Sequence, residues 1–271
     1  MDKPRNGDPA VMTVPADPLQ GRPHEARALL QRSLAARPDH VPTWLAFGRL
    51  ARRMGNDAEA LAAFERAFHL APASPEPAFL LCAALLRAGN PRAQAMLGML
   101  LARFPQEAGG WEELGDALLK LDKLEAALVC FMRAGEAAPS FASAMRRGLV
   151  LRELGRAGEA AIAFEQAVTL DPTSSRGWFL LGASLQDARN LGPAAAAYRE
   201  ALAVDPALVE AVVNLGTVLQ EMGDLEAAKA AYGEAVRMHA PAFGRIAQAM
   251  TSSPKGELWL DLAALRHALV G

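Results

Sequence analysis

The sequence predicts an all-α protein, an α-solenoid of stacked helix-turn-helix hairpins. Two observations predict this fold class. Four sets of residues recur along the chain at intervals of 33 or 34 residues, and intervals of this length are typical of helical-hairpin repeats. Within each interval, apolar residues recur at three- and four-residue steps, as the buried face of an amphipathic helix requires.

The four sets keep a constant phase relative to one another. The first consists of prolines, at Pro38, Pro72, Pro105, Pro139, Pro172 and Pro206. The second consists of Gly48, Gly115, Gly148, Gly182 and Gly216, with Cys82 in the one missing place. Large residues form the third set, at Phe64, Leu97, Phe131, Phe164, Tyr198 and Tyr232, and alanines form the fourth, at Ala60, Ala93, Ala127, Ala160, Ala194 and Ala228. We expect the glycines and alanines to lie where helices cross, and the large residues to reach the following hairpin.

The interval 41–74 illustrates how each hairpin forms. Apolar residues from Trp44 onwards predict a first helix, which Gly55 ends because glycine readily adopts the left-handed conformation. Asp57 is expected to cap the second helix through its side-chain oxygen, and Pro72 to end it, since proline lacks an amide hydrogen. A single hairpin cannot cover its own apolar face, so consecutive hairpins are expected to stack.

This pattern resembles the tetratricopeptide repeat family, whose motif has Trp, Leu-Gly, Ala, Phe or Tyr, Ala and Pro at fixed places. One match consists of Trp111, Leu114, Gly115, Leu118, Ala127, Phe131, Ala134 and Pro139. A second consists of Trp178, Leu181, Gly182, Leu185, Ala194, Tyr198, Ala201 and Pro206. The resemblance implies a right-handed α-solenoid of six repeats, at residues 41–74, 75–107, 108–140, 141–174, 175–208 and 209–242.

The two ends of the chain depart from this repeat. Residues 1–23 contain five prolines and no periodic apolar face, so we expect a disordered segment. Residues 24–40 keep the phase of a second helix and predict a partial repeat. Residues 243–271 predict C-terminal capping helices. The alternative is that the last helix docks onto a partner, or onto a second copy of the chain, through Trp259, Leu262 and Leu265.

Charge and composition argue against several classes of protein. The chain has 28 Lys and Arg against 30 Asp and Glu, whereas broad nucleic-acid binding needs a basic face. No apolar run approaches the length of a bilayer span, and the first residues lack the apolar core of a signal peptide. We therefore expect a cytoplasmic protein that does not insert into membranes and whose partner is a protein or peptide.

No motif for catalysis, a cofactor or a metal is present. The five histidines are scattered along the sequence, and Cys82 and Cys130 are too few for a zinc cluster or a disulfide framework. Glu112, Glu113 and Asp116 place three carboxylates within about one helical turn, which favours a solvated surface over a general acid/base pair. The sequence thus predicts a non-enzymatic protein with no catalytic residue, no cofactor and no metal.

The resemblance also implies a binding groove, because in the family the first helix of each repeat lines the concave face. The positions that would face this groove include Leu45, Arg49, Arg53, Phe79, Arg87, Glu112, Asp116, Lys120, Met145, Glu153, Phe179, Asp187, Val213, Thr217 and Glu221. Asn214 joins them because it alone occupies the place of the asparagines that line the groove in O-GlcNAc transferase repeats.

Two features of these positions predict how a partner would bind. Leu45, Phe79, Met145, Phe179 and Val213 would offer apolar pockets along the groove. The last position of each set is basic in the first three repeats, at Arg53, Arg87 and Lys120, and acidic in the next three, at Glu153, Asp187 and Glu221. Such a division of charge would fix the direction of a ligand of opposite polarity. The alternative is ordinary solvated helix edges.

Two predicted repeats lack family residues and should be packed least tightly. The repeat at 75–107 has Ala78 in place of Trp and Cys82 in place of Gly. The repeat at 141–174 has Ala144 and Arg147 at two places that are normally apolar. Weak packing at these places would make them the points where the array bends.

The sequence therefore predicts a tetratricopeptide repeat adaptor or scaffold that binds a peptide or helix of a partner protein in its groove. One alternative is an accessory subunit of a separate transferase, such as a glycosyltransferase, because such arrays are often joined to these enzymes. A second alternative is a self-assembling scaffold that forms homo-oligomers through the C-terminal helix.

Overall fold

A computed structural model describes residues 23–252, 266–267 and 269–270. These residues form fourteen α-helices and one short 3-10 helix, at Ala240–Ala242, and no strand. The first seven α-helices are Pro23–Ala36 (α1), Val41–Arg53 (α2), Asp57–Leu70 (α3), Pro75–Arg87 (α4), Arg92–Arg103 (α5), Ala108–Leu119 (α6) and Leu124–Ala137 (α7). The others are Phe141–Glu153 (α8), Ala157–Leu170 (α9), Ser175–Asp187 (α10), Leu191–Val204 (α11), Val209–Met222 (α12), Leu225–Met238 (α13) and Phe243–Ser252 (α14).

The helices group into two compact units, which divide between Arg103 and Phe104. In unit 1, the five helices α1 to α5 pack in sequence, each of the first four against the helix that follows it. In unit 2, the helices α6 to α13 pack in the same sequential manner. The predicted all-α fold of consecutively stacked helical hairpins is therefore confirmed. The first helices of the hairpins are α2, α4, α6, α8, α10 and α12.

Glycine and aromatic residues pack together where the two helices of a hairpin cross. A Cβ atom on Gly115 would lie 2.7 Å from Cε1 of Phe131, and one on Gly48 would lie 2.5 Å from Cε1 of Phe64. Each ring therefore occupies the space that a side chain would need on the opposite helix. The expectation that Phe64 reaches the following hairpin was incomplete, since the ring covers Gly48 of its own hairpin and also clusters with Leu80.

In the turn inside the first hairpin, the prediction for one residue is confirmed and the prediction for another is wrong. Gly55 has a φ of +78°, in the left-handed region predicted for it. The predicted cap at Asp57 is wrong, because the side chain of Asn56 accepts the amide hydrogen of Glu59 at 3.2 Å. Asp57 is instead the first residue of α3, where its carboxylate interacts favourably with the helix dipole.

The N-terminal helix α1 covers the apolar edge of α2. It buries Ala26, Leu30 and Leu34 in a cluster with Phe47 and other residues of α2. The predicted disordered segment lies outside the described residues except for Pro23, which is the first residue of α1.

At the C-terminal end, α14 covers the last hairpin. It buries Ile246 and Met250 in a cluster that includes Tyr232. Leu269 is buried in the same cluster, and a Cβ atom on Gly233 of α13 would lie 2.1 Å from its backbone oxygen. The described part of this segment thus packs on its own chain. The docking residues Trp259, Leu262 and Leu265 lie outside the described residues.

Candidate functional site

In unit 1, the predicted basic positions are largely engaged in ion pairs between helices. Nη2 of Arg49 lies 2.8 Å from Oε1 of Glu76, which joins α2 to α4. Arg87 of α4 lies 3.3 Å from Oδ1 of Asp57 on α3. Arg53 is exposed at the end of α2. Pairing within the fold leaves less of the Arg49 and Arg87 charge available to a ligand than the sequence suggests.

In unit 2, the carboxylates of α6 share one arginine of α8. Nη1 of Arg146 lies 3.1 Å from Oε2 of Glu112, and its Nε lies 3.2 Å from Oδ1 of Asp116. The hydroxyl of Ser140 also donates to Oε1 of Glu112 at 3.3 Å. Glu112 and Asp116 therefore hold α6 and α8 together.

The acidic positions of the following first helices are also paired. Asp187 of α10 lies 3.7 Å from Arg152 of α8, and Glu221 of α12 pairs with Arg189, which follows α10. Lys120 and Glu153 are exposed, and no ion pair between described residues involves either of them. The predicted division of charge is therefore only partly available on the surface.

Sequence reasoning missed the partners of these charged positions. They are Asp57, Glu76, Arg146, Arg152 and Arg189. A signal for them was present, because paired residues such as Arg49 and Glu76, or Glu112 and Arg146, are 27 and 34 residues apart. The second separation equals one repeat length and the first is shorter by about two helical turns, so each pair joins the first helices of consecutive hairpins.

The predicted apolar positions are mostly inaccessible. Leu45, Phe79, Met145 and Val213 are all at most 9% exposed. Phe179 of α10 is half-buried, and its ring centroid lies 5.9 Å from that of Tyr198. Of the five apolar positions, Phe179 therefore presents the most surface to a ligand.

Tyr198 of α11 also anchors polar side chains of two first helices. Its hydroxyl donates to Oε1 of Gln186 at 2.9 Å and accepts a hydrogen bond from Nδ2 of Asn214 at 3.2 Å. Burial raises the pKa of Tyr198 to about 12, while the hydrogen bond from Asn214 lowers it by a smaller amount. No hydrogen bond between described residues uses the side-chain oxygen of Asn214. Phe179 and Asn214 are thus held on adjacent first helices by one buried ring.

A second tyrosine occupies the equivalent place in the next hairpin. The hydroxyl of Tyr232 donates to Oε1 of Gln220 at 2.9 Å and lies 3.2 Å from Oγ1 of Thr217. Burial raises the pKa of Tyr232 as well. Thr217 lies about one helical turn from Asn214 on α12, and its position is therefore also fixed by a buried tyrosine of the following helix.

The described residues offer little support for metal binding, a reactive cysteine or membrane insertion. They contain no group of three His, Cys, Asp or Glu side chains that could hold a metal ion. Cys82 and Cys130 are both buried and free of disulfides. Burial raises the pKa of the Cys130 thiol to about 12, so this group stays a thiol and is a poor nucleophile. None of the helices in the described ranges combines the length and the apolar character needed to cross a bilayer.

Comparison with known families agrees with this architecture. Two family models, each described as tetratricopeptide repeat, match the chain. One matches residues 20–75, and the other matches residues 108–141, 142–174 and 209–239. Together they cover more than half of the chain. No curated protein sequence matches it.

Two solved structures with similar folds are those of YrrB and MamA. YrrB, described as a TPR protein with an unusual peptide-binding site, is 16% identical and has a TM-score of 0.56; the match covers 81% of this chain and 96% of YrrB. MamA from Desulfovibrio magneticus RS-1, from residue 41 to its end, is 18% identical with a TM-score of 0.51, covering 74% of this chain and 96% of MamA. At these identities the likeness concerns the fold alone.

Sequentially packed hairpins with a ring over each crossing glycine define a helical-hairpin repeat protein. The chain belongs to the tetratricopeptide repeat family. Membership of this family indicates a protein-interaction scaffold.

Proposed function

We propose that this protein is a non-enzymatic, cytoplasmic adaptor that binds an extended or helical segment of a partner protein. The binding surface in unit 2 consists of exposed and half-buried positions on α8, α10 and α12, with the half-buried Phe179 and Asn214 at its centre. The observation that supports this proposal is the double anchoring by Tyr198, whose ring packs on Phe179 and whose hydroxyl holds Asn214.

These two side chains supply complementary kinds of contact. The half-buried ring of Phe179 offers apolar area to a side chain of the ligand. The side-chain oxygen of Asn214 can accept a hydrogen bond from a backbone amide of an extended segment. Because both side chains are already fixed by Tyr198, binding requires little further loss of side-chain entropy.

Exposed charges around this surface would orient the ligand. Glu153 lies at the end of α8 and Lys120 follows α6, and both are free of ion pairs with other described residues. Charges of this kind mainly affect the rate and direction of association. YrrB, a structural neighbour described as having a peptide-binding site, supports the proposal by analogy of fold.

Affinity capture from a cell lysate, followed by mass spectrometry, tests the proposal with three variants. Phe179→Glu and Asn214→Ala should both lose the same captured protein. Val204→Glu, on the exposed part of a second helix, is the matched control and should retain it. Circular dichroism must show that all three variants keep their helical content.

The proposal fails if both Phe179→Glu and Asn214→Ala retain every partner of the unchanged chain. Capture of a catalytic chain through the same residues would favour the alternative of an accessory subunit. Light scattering on the full chain addresses the other alternative, since a monomer at all concentrations would exclude a self-assembling scaffold.

A further inference from the structure

A cleft of about 700 Å³ opens on the second-helix side of unit 2, between α7 and α9. Its lining includes Phe131 of α7, Ser143, Ala144 and Arg147 of α8, and Ile162 and Leu170 of α9. The volume lies within the range of small-ligand and side-chain pockets in proteins. A smaller cavity of about 210 Å³ adjoins it and shares Arg147 and Ile162 with it.

The cleft coincides with a tryptophan position that this hairpin leaves empty. In other hairpins, Trp44 and Trp178 occupy the position of Ala144 and donate from Nε1 to the backbone oxygens of Pro38 and Pro172, at 2.8 and 2.9 Å. Each of these oxygens belongs to the residue six positions earlier, in the loop that enters the hairpin. Pro139 and Ser140, from the corresponding loop of this hairpin, line the cleft.

The same position is closed in the two other hairpins that lack tryptophan. Ala78 is fully buried, and Val212 is 1% exposed. Ala144 is also buried, at 7% exposure, but it lines the cleft. The missing indole therefore leaves open space beside Ala144, and this space is part of the cleft.

The cleft is bordered by accessible apolar side chains as well as by polar ones. Ile162 is 57% exposed and Leu170 is 48% exposed, both on α9. Met132 of α7, which lines the adjoining cavity, is also exposed. Large apolar side chains of this kind, grouped around a concave site, are typical of interaction surfaces.

A cation lies in the same cleft without an anionic partner. Arg147 occupies a position at which Leu114 and Leu181 stand in neighbouring hairpins. Its Nη2 donates to the neutral side-chain oxygen of Gln166, and no ion pair between described residues involves it.

Glu136 and Glu165 also line the cleft, but Glu136 pairs with Arg133, and no ion pair or hydrogen bond between described residues joins either carboxylate to Arg147. Burial lowers the pKa of Arg147. A carboxylate placed here would form a charge-assisted hydrogen bond.

We propose that the cleft between α7 and α9 binds a tryptophan side chain of a partner polypeptide, with an acidic residue beside it that pairs with Arg147. The indole would take the place that Trp44 and Trp178 take in their own hairpins. This site is separate from the Phe179 surface and does not depend on the function proposed there.

Binding of three short peptides to the full chain tests this proposal by fluorescence anisotropy. The probes are fluorescein-labelled peptides with the sequences Gly-Asp-Trp-Asp-Gly, Gly-Asp-Ala-Asp-Gly and Gly-Lys-Trp-Lys-Gly. The acidic tryptophan peptide should bind about tenfold or more tightly than either of the others, because only it supplies both the indole and the charge-assisted bond. Equal binding of all three, or binding of none, would overturn the proposal.

Two substitutions locate the site. Ala144→Trp restores the indole of the chain itself, so it should abolish peptide binding while raising the melting temperature through filling of the cleft. Arg147→Leu should reduce the preference for the acidic over the basic peptide to near unity. Ala196→Trp, at an exposed position on α11, is the matched control and should change neither result.

Ile162→Asp is a variant that should leave the packing of the helices unchanged, because the side chain of Ile162 is mostly exposed. This substitution should weaken binding of the acidic tryptophan peptide several-fold while leaving the circular dichroism spectrum unchanged. Undiminished binding to both Ala144→Trp and Ile162→Asp would place the peptide elsewhere and refute the proposal. Phe179→Glu should bind the peptide normally, which separates this site from the proposed adaptor surface.

Discussion

The side-chain amide of Asn214 donates a hydrogen bond to the hydroxyl of Tyr198 over 3.2 Å. The same hydroxyl donates to Gln186 of α10, so one tyrosine of α11 connects two consecutive first helices. A residue that sequence analysis places in the repeat core therefore also positions a candidate binding residue on the surface.

Replacing this tyrosine tests the connection. Tyr198→Phe keeps the buried ring but leaves Gln186 and Asn214 without their shared partner. We expect a loss of about 1–2 kcal/mol in the free energy of unfolding, as for other half-buried polar groups that lose a hydrogen bond. Urea unfolding measures the effect. In a double-mutant cycle, Tyr198→Phe and Asn214→Ala should be less than additive, and strict additivity would mean that the bond contributes nothing.

The contact between Gly115 and Phe131 predicts a sharp penalty for a single methyl group. A Cβ atom at position 115 would lie 2.7 Å from Cε1 of Phe131, so Gly115→Ala must force the helices apart or move the ring. We expect destabilisation of about 1–3 kcal/mol, measured by thermal unfolding. The control is Gly98→Ala in α5, where no atom lies within 4 Å of the new Cβ. The control should stabilise the helix by up to about 1 kcal/mol; destabilisation of equal size in both variants would contradict the explanation.

Gly233 provides a test of capping at the C-terminal end. Its Cβ would lie 2.1 Å from the backbone oxygen of Leu269, so Gly233→Ala should displace that residue and expose Met250 to solvent. Hydrogen exchange should become faster in α13 and α14, while α10 and α11 stay unchanged. Gly244→Ala in α14 has no atom within 4 Å of the new Cβ and is the matched control. Unchanged exchange in Gly233→Ala would mean that Leu269 does not cover α13 in solution.

The tyrosines predict the behaviour of the protein at high pH. The chain has two, Tyr198 and Tyr232, and burial raises the pKa of both, that of Tyr198 to about 12 from a usual value of 10.0. A phenol whose pKa is higher in the folded state keeps its contribution to stability below pH 10. That contribution decreases as the pH rises from 10 towards 12, because the unfolded state ionises first.

Absorbance at the phenolate band measures this prediction directly. At pH 10.5 the native protein should develop a smaller phenolate signal than the same chain in concentrated urea, whose tyrosines should be more than half ionised, as unperturbed tyrosines are. Tyr232→Phe isolates the titration of Tyr198. Coincident titration curves for the native and unfolded states would show that the two phenols are not desolvated.

Sequence alone predicted the fold because its periodicity reports contacts that each hairpin makes in the same way. The phase between Gly115 and Phe131, for example, follows from a contact of one ring with one glycine that recurs in five hairpins, at Gly48, Gly115, Gly148, Gly182 and Gly216. The sequence also shows that Ala144 replaces the tryptophan of the motif, and this residue lines a cleft in the structure. Both observations need only the spacing of residues along the repeat.

The candidate site was less predictable because it depends on partners between hairpins. Arg87 was expected to carry free positive charge, yet it lies 3.3 Å from Asp57. Phe79 was expected to face a ligand, yet it is 2% exposed. The packing of neighbouring helices decides which side chains of the first helices are paired or covered. A repeat motif contains only what all repeats share, so it does not specify these contacts.

The ring-over-glycine contacts also bear on how the chain is made. Phe131 and Gly115 belong to consecutive helices, so their contact closes only a short loop. Local contacts of this kind shorten the conformational search, since little chain entropy is lost before they form. Each hairpin can therefore acquire its internal packing while the ribosome is still translating the next one, and later hairpins can add to a surface that has already formed.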